Sequence, residues 1–196
     1  MTFLEANQII EDFYGSVQFG RPINRVQTHK VLFDVVQKLQ PKKYGEIGSH
    51  IGCSLSYVSL ACNAFLYSYD FPNAGSGGEA GTDGFLKQAA KHFAKDRHSL
   101  NFGNSHSVEI KRRIVENGPY DVFMIDGDHS SEGCMEDFKT VLPNVKLGGA
   151  IIIDDLVHHL NLGVLFDKIV RDGGFRYEKF MEQDETVLRG VGVIYL

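Results

Sequence analysis

The sequence predicts an α/β fold: a doubly wound, mostly parallel sheet of seven strands with an antiparallel last strand and helices on both faces. Three observations lead there. Short unbroken apolar runs, such as Val122–Ile125 and Ala150–Ile153, read as strands buried on both faces, the pattern of parallel sheets. Segments with helical apolar spacing alternate with those runs, as crossover helices do. Polar clusters fall at the carboxyl ends of the runs, where such sheets bind ligands.

The elements follow in order. Thr2 can cap a first helix whose Phe3, Leu4, Ala6, Ile9, Ile10 and Phe13 share one face. Gly15 to Gln27 reads as loop, broken by Gly20-Arg21-Pro22. Thr28 can cap a second helix that ends before Pro41. Lys43–Ile47 is the first strand, and a glycine turn then leads into a helix from Ser54 to Asn63. Phe65–Asp70 is the second strand. Pro72 to Gly84, rich in Gly, Ala and Ser, reads as a mobile loop. A helix over Phe85–Lys95, a brief strand over Leu100–Phe102 and a helix over Ser107–Asn117 follow. Strand Val122–Ile125, helix Glu132–Val141, strand Ala150–Ile153 and helix Asn161–Asp172 continue the alternation. Phe175–Phe180 and Val191–Tyr195 close the chain as an antiparallel pair.

The 196 residues suit one domain, with residues 1–40 as a helical cap on a core of residues 41–196. A content of 43% apolar residues is enough for a sizeable core. The net charge of −5 argues against a nucleic-acid partner and against a polybasic membrane anchor. No apolar run approaches bilayer length and no signal segment opens the chain. Cys53, Cys62 and Cys134 have no metal spacing and suggest reduced thiols in a cytoplasmic protein.

Two strands end in acid. Val122–Ile125 runs into Asp126-Gly127-Asp128-His129, and Ala150–Ile153 runs into Asp154-Asp155. If these strands are neighbours, their carboxylates meet at one edge and need a proton, a metal or a cationic ligand. The turn Glu46-Ile47-Gly48-Ser49-His50-Ile51-Gly52-Cys53-Ser54 is G-x-x-x-G, not the dinucleotide G-x-G-x-x-G. It suits a smaller anion, such as an amino-acid carboxylate, at a helix N-terminus. It also reads as a tight turn with no ligand. Asp70 closes the second strand, where an acid can accept both hydroxyls of a ribose. Gly103-Asn104-Ser105 closes the third with groups suited to an adenine edge. Taken singly, Asp70 equally reads as a surface turn residue and Asn104-Ser105 as a helix cap.

Together these motifs resemble the class I S-adenosylmethionine-dependent methyltransferases, whose fold is Rossmann-like. E-x-G-x-x-x-G-x-S, the acid at Asp70, Gly103-Asn104-Ser105, IDGDHS and GGAIIIDD carry the resemblance, over roughly residues 40 to 160. Within that group the chain is similar to small-molecule O-methyltransferases of the macrocin O-methyltransferase and cephalosporin-hydroxylase-like type. The resemblance implies S-adenosylmethionine as cofactor and a small-molecule hydroxyl as acceptor. It places Glu46, Gly48, Ser49, Gly52 and Ser54 around the methionine end, Asp70 on the ribose and Asn104 or Ser105 near the adenine.

Neighbouring strands lie about 4.8 Å apart, so Asp126 and Asp154 can both reach an ion bonded at roughly 2.1 Å, with Asp155 as a third donor. An all-oxygen set favours Mg²⁺ or another hard divalent ion. The related metal-dependent O-methyltransferases look alike here, with one acid after the fourth strand and an acidic pair after the fifth. The catechol-type branch carries Asp-Asn as that pair, and the Asp-Asp of this chain is closer to the macrocin type. Alternatives stand beside this. Asp126-Gly127 is a turn signal, Asp154 or Asp155 could cap a helix, Asp128 could face water, and Asp126 could hold the cofactor with no metal present. The resemblance implies His129 as general base; His158 or His159 could equally serve or line the acceptor pocket. Arg21 and Arg25 could clamp an acidic substrate or simply lie on the surface. No segment after Asp155 is long enough for a large lid, so the N-terminal helices or a second subunit of a homo-oligomer must close the site. The expected activity is methyl transfer to a hydroxyl; the competing readings are a metal-independent methyltransferase and a non-catalytic cofactor-binding protein.

Overall fold

The computed structural model describes residues 1–16, 26–71, 82–157, 160–183 and 188–196. Helices α1 (Phe3–Ser16) and α2 (Val26–Leu39) precede the alternating core. That core runs β1 (Lys43–Ile47), α3 (Cys53–Ala61), β2 (Phe65–Asp70), α4 (Thr82–Ala89), β3 (His98–Phe102) and α5 (Val108–Asn117). It continues through β4 (Tyr120–Ile125), α6 (Ser131–Val141), β5 (Val145–Ile153), α7 (Leu160–Gly173), β6 (Arg176–Gln183) and β7 (Leu188–Tyr195).

Seven strands form one sheet in the order β3-β2-β1-β4-β5-β7-β6. The first five are parallel, and β7 runs antiparallel to both β5 and β6. The order reverses between β1 and β4, which opens a crevice at their carboxyl ends. This is the doubly wound, Rossmann-like architecture that the sequence predicts.

Strand periodicity builds two cores. Val122, Met124, Ala150 and Ile152 face one side, where they meet Val31, Leu32 and Val36 of α2 and Leu55 and Val58 of α3. Phe123, Ile125, Ile151 and Ile153 face the other, against Ile114, Phe138 and Phe166 of α5, α6 and α7. Each of the Val, Leu, Ile, Met and Phe side chains contributes roughly 1.5–3 kcal/mol by burial. A third cluster seats α1 on α3: Ala6, Ile10 and Tyr14 pack with Phe33, Tyr57 and Phe93.

Several boundaries differ from the sequence reading. Thr2 does cap α1, its hydroxyl accepting from Glu5 N while the Glu5 carboxylate takes Thr2 N–H, a capping box. Thr28, in contrast, lies inside α2, which starts at Val26, and its hydroxyl is used elsewhere. Strand β3 starts at His98, and β5 starts at Val145 because Lys146, Leu147 and Gly148 form an exposed extension with no apolar signal. Helix α4 starts at Thr82 and ends in a π turn over Ala90–Ala94. Ser107, not Asn104 or Ser105, caps α5, accepting from Ile110 N. All three cysteines are buried and unbridged. Among the described residues, no helix is long and apolar enough to cross a membrane. Arg21, Arg25, most of the Gly-rich stretch (72–81), His158 and His159 lie outside the described residues.

Candidate functional site

The strand ends are stitched together in register. Gly103 N donates to Asp70 O, Gly48 N to Tyr69 O, Asp126 N to Ile47 O and Asp154 N to Ile125 O, at 2.8–3.2 Å. The sheet's hydrogen bonding thus runs on past the strands, and the turns after β3, β2, β1, β4 and β5 stand side by side. They border a cavity of about 390 Å³, large enough for a nucleoside-sized ligand.

The glycine turn forms the floor. Gly48 and Gly52 have φ of +89° and +88°, a region open chiefly to glycine. A Cβ on Gly48 would lie 1.9 Å from Asp126 O, so the β1 and β4 turns approach as closely as backbones can. Ser49 and Ser54 are buried beside the cavity at the start of α3. Glu46 lies lower, fully buried, with Oε2 accepting from Tyr44 Oη at 2.6 Å and Oε1 making no aligned hydrogen bond among the described residues. Burial raises the Glu46 pKa, and the nearby Ser49, Tyr44 and Ser54 hydroxyls pull it partly back down. It supports the floor and does not border the cavity.

Asp70 borders the cavity and accepts from the backbone N–H of His50, which joins the ends of β2 and β1. Burial pushes its pKa up to about 7; the His50 N–H lowers it, and the charges of Glu46 and Asp126 raise it further. Asn104 and Ser105 form the next wall. Asn104 Oδ1 accepts from His106 N at 2.8 Å, an Asx turn that sets the loop after β3.

At the β4 and β5 ends the acids arrange themselves differently from the expected trio. His129 Nε2 stands 3.4 Å from Asp126 Oδ1 and 3.4 Å from Asp155 Oδ2. Among the described residues, Asp126, His129 and Asp155 are the set that could share an ion, with ligand atoms within 4.8 Å of one another. Cis ligands bonded at about 2.1 Å lie roughly 3.0–3.4 Å apart, so the two His129–carboxylate spacings and the donor types fit a divalent metal. Asp154, only 3% exposed, turns its Oδ1 to the Thr28 hydroxyl at 2.9 Å. Asp155 carries φ of +56°, strain of order 1 kcal/mol for a non-glycine residue, held where it aims the carboxylate toward His129. Asp128 accepts from Ser130 N at 2.8 Å, and Ser130 caps α6.

The sequence reading missed four contributors. Tyr44 shares a strand face with Glu46, an i, i+2 signal that was available. Thr28 and His29 border the cavity from α2, far from it in sequence. His106 also borders it, two residues past Asn104.

A protein-family model described as a methyltransferase domain matches residues 46–156, more than half of the chain. The chain belongs to that methyltransferase family. No curated protein matches this methyltransferase by sequence. Solved structures share its fold. The O-methyltransferase TomG from Streptomyces achromogenes, involved in tomaymycin synthesis and solved with SAM, aligns at TM-score 0.74 and 12% identity, over 98% of this chain and 89% of that one. Cofactor-bound Rv0187 from MTB aligns at TM-score 0.75 and 13% identity, over 98% and 88%. An O-methyltransferase from Bacillus cereus in complex with SAH aligns at TM-score 0.71 and 13% identity, over 99% and 90%. The fold is therefore one that methyltransferases use to hold SAM or SAH.

Proposed function

We propose that this methyltransferase moves a methyl group from S-adenosylmethionine to a hydroxyl of a small molecule, with help from a divalent ion. One observation carries the reading: Asp70 and the Asp126–His129 pair border the same cavity, so a ribose-binding acid and an acid-lined reaction site serve one ligand space.

When bound, the cofactor supplies a methyl on a cationic sulfonium, and the ion lowers the pKa of a coordinated hydroxyl. The chain's own residues do the rest. The Gly48–Gly52 turn and the N-terminus of α3 receive the carboxylate of the amino-acid end. Asp70 accepts the ribose hydroxyls, and Asn104 and Ser105 line the nucleobase end. Asp126 and Asp155 would hold the ion, while Thr28 holds Asp154, which also borders the cavity. His129 Nε2 accepts the acceptor's proton; two carboxylate oxygens at 3.4 Å balance the resulting charge. Alignment of donor and acceptor supplies several kcal/mol of rate enhancement.

The 3.4 Å spacing favours a second role for His129, as a metal ligand through the same Nε2. A nitrogen donor shifts preference from Mg²⁺ toward Mn²⁺, Fe²⁺ or Zn²⁺. Pulsed electron paramagnetic resonance on the Mn²⁺-loaded protein separates the two, because only a ligating imidazole gives strong ¹⁴N coupling. Calorimetry with S-adenosylhomocysteine and a labelled-methyl assay on polyols and phenols test the activity itself. Cofactor binding with no transfer to any acceptor would favour a non-catalytic binding protein. Full activity under chelation would end the metal role and leave a metal-independent methyltransferase.

A further inference from the structure

Asp137 has no place in the chemistry above, yet it is 1% exposed, and neither carboxylate oxygen makes an aligned hydrogen bond among the described residues. A buried carboxylate left so exposes the fold to a penalty of at least 1–3 kcal/mol. It sits on α6 directly behind the cavity wall: a Cβ on Gly127 would lie 3.6 Å from its Oδ2. Its Oδ1 is 3.3 Å from Nε2 of His106, whose side chain is 22% exposed and borders the cavity. The other groups that bear on Asp137 are the Ser105 hydroxyl, Asp128 and Glu136; Lys111 is engaged by Glu136. His106 is thus the side chain placed to donate an N–H to this carboxylate. Burial raises the pKa of Asp137 to about 6, with Ser105 and His106 holding it down, so it is ionised above neutral pH.

Which imidazole nitrogen carries the proton is set by the hydrogen bond the other nitrogen makes. We infer that Asp137 is a positioning residue: it takes the Nε2 proton of His106 and leaves Nδ1 as a lone-pair acceptor for a purine 6-amino group. A 6-oxo purine, which offers an acceptor there, would face the lone pair and be rejected. The 3.3 Å contact is not aligned as a hydrogen bond, as polar contacts in ligand-free sites often are not; the inference requires the ring to align on Asp137 when the ligand binds. The inference rests on reading the cavity as the cofactor site, with the nucleobase beside residues 104–106.

Two measurements on the full chain decide it. Long-range ¹H–¹⁵N NMR of the His106 ring at pH 8 should show the Nε2–H tautomer; the Nδ1–H tautomer overturns the inference and needs no variant. Calorimetry should then compare S-adenosylhomocysteine with S-inosylhomocysteine. The natural chain should favour the adenosyl ligand at least tenfold, and Asp137→Asn and His106→Leu should each narrow that to threefold or less. If the natural chain discriminates and folded Asp137→Asn keeps the full preference, the role of Asp137 is wrong while the cofactor reading stands. If the natural chain binds neither ligand, the cofactor reading itself fails, and base selection with it.

Discussion

The Thr28 hydroxyl donates to Asp154 Oδ1 across 2.9 Å, tying α2 to the carboxyl end of β5. Both residues are buried, at 2% and 3% exposure. The bond turns one acid of the pair toward the N-terminal helices and leaves Asp155 to face His129.

Removing that donor should be expensive. Thr28→Val keeps the shape but takes a hydrogen bond from a buried carboxylate, a loss of about 1–3 kcal/mol. Urea unfolding should register the loss at pH 8, and Thr28→Ser should restore most of it. Equal stability of the Val variant would mean that the contact carries no energy.

Asp70 makes both stability and binding depend on pH. Its pKa is about 7 in the folded chain against an ordinary 3.8. A carboxyl raised in this way adds stability fully below about pH 4 and loses it as pH rises through 7. Asp70→Asn should therefore raise the melting temperature at pH 8 and change it little near pH 4. Ribose hydroxyls need the ionised form, so S-adenosylhomocysteine affinity should fall about tenfold per pH unit below 7. In the Asn variant, binding should be weak and lack that slope.

Gly48→Ala tests the floor. The new methyl would collide with Asp126 O at 1.9 Å, in a backbone region unfavourable to alanine. Stability should drop by at least about 2 kcal/mol in a denaturant melt. Cofactor binding, followed by calorimetry, should be lost with it. Ala at Gly15, where nothing lies within 4 Å of the added methyl, is the matched control.

His129→Ala should lower turnover at least tenfold whether the ring accepts the proton or binds the ion, with cofactor affinity nearly unchanged. The two roles part on Mn²⁺ affinity, which falls only if His129 is a ligand. A variant within tenfold of natural turnover would remove His129 from the reaction.

Much of this was legible in the chain itself. Val122–Ile125 and Ala150–Ile153 are apolar at every position, which only a strand covered on both faces tolerates, and the structure buries all eight residues. Gly48 and Gly52 announced a tight turn between strand and helix, and both take positive φ in the structure. Asp70, Asn104, Asp126 and Asp154 sat at strand ends, and parallel topology delivers strand ends to one crevice. These are local signals with a topological consequence, so sequence order suffices to read them.

The arrangement of the acids was not legible. Asp154 and Asp155 are adjacent in sequence, and nothing local says which turns to His129 and which to Thr28. The left-handed backbone at Asp155 and the distant Thr28 hydroxyl decide it, and that hydroxyl arrives only when α2 docks on the sheet. The Asp137–His106 contact is of the same kind, joining α6 to the loop after β3. Periodicity and turn chemistry act between neighbours in the chain and so determine the fold and the location of the site. The pairing of buried charges acts between residues brought together by packing, so the tertiary structure alone decided how the site is wired.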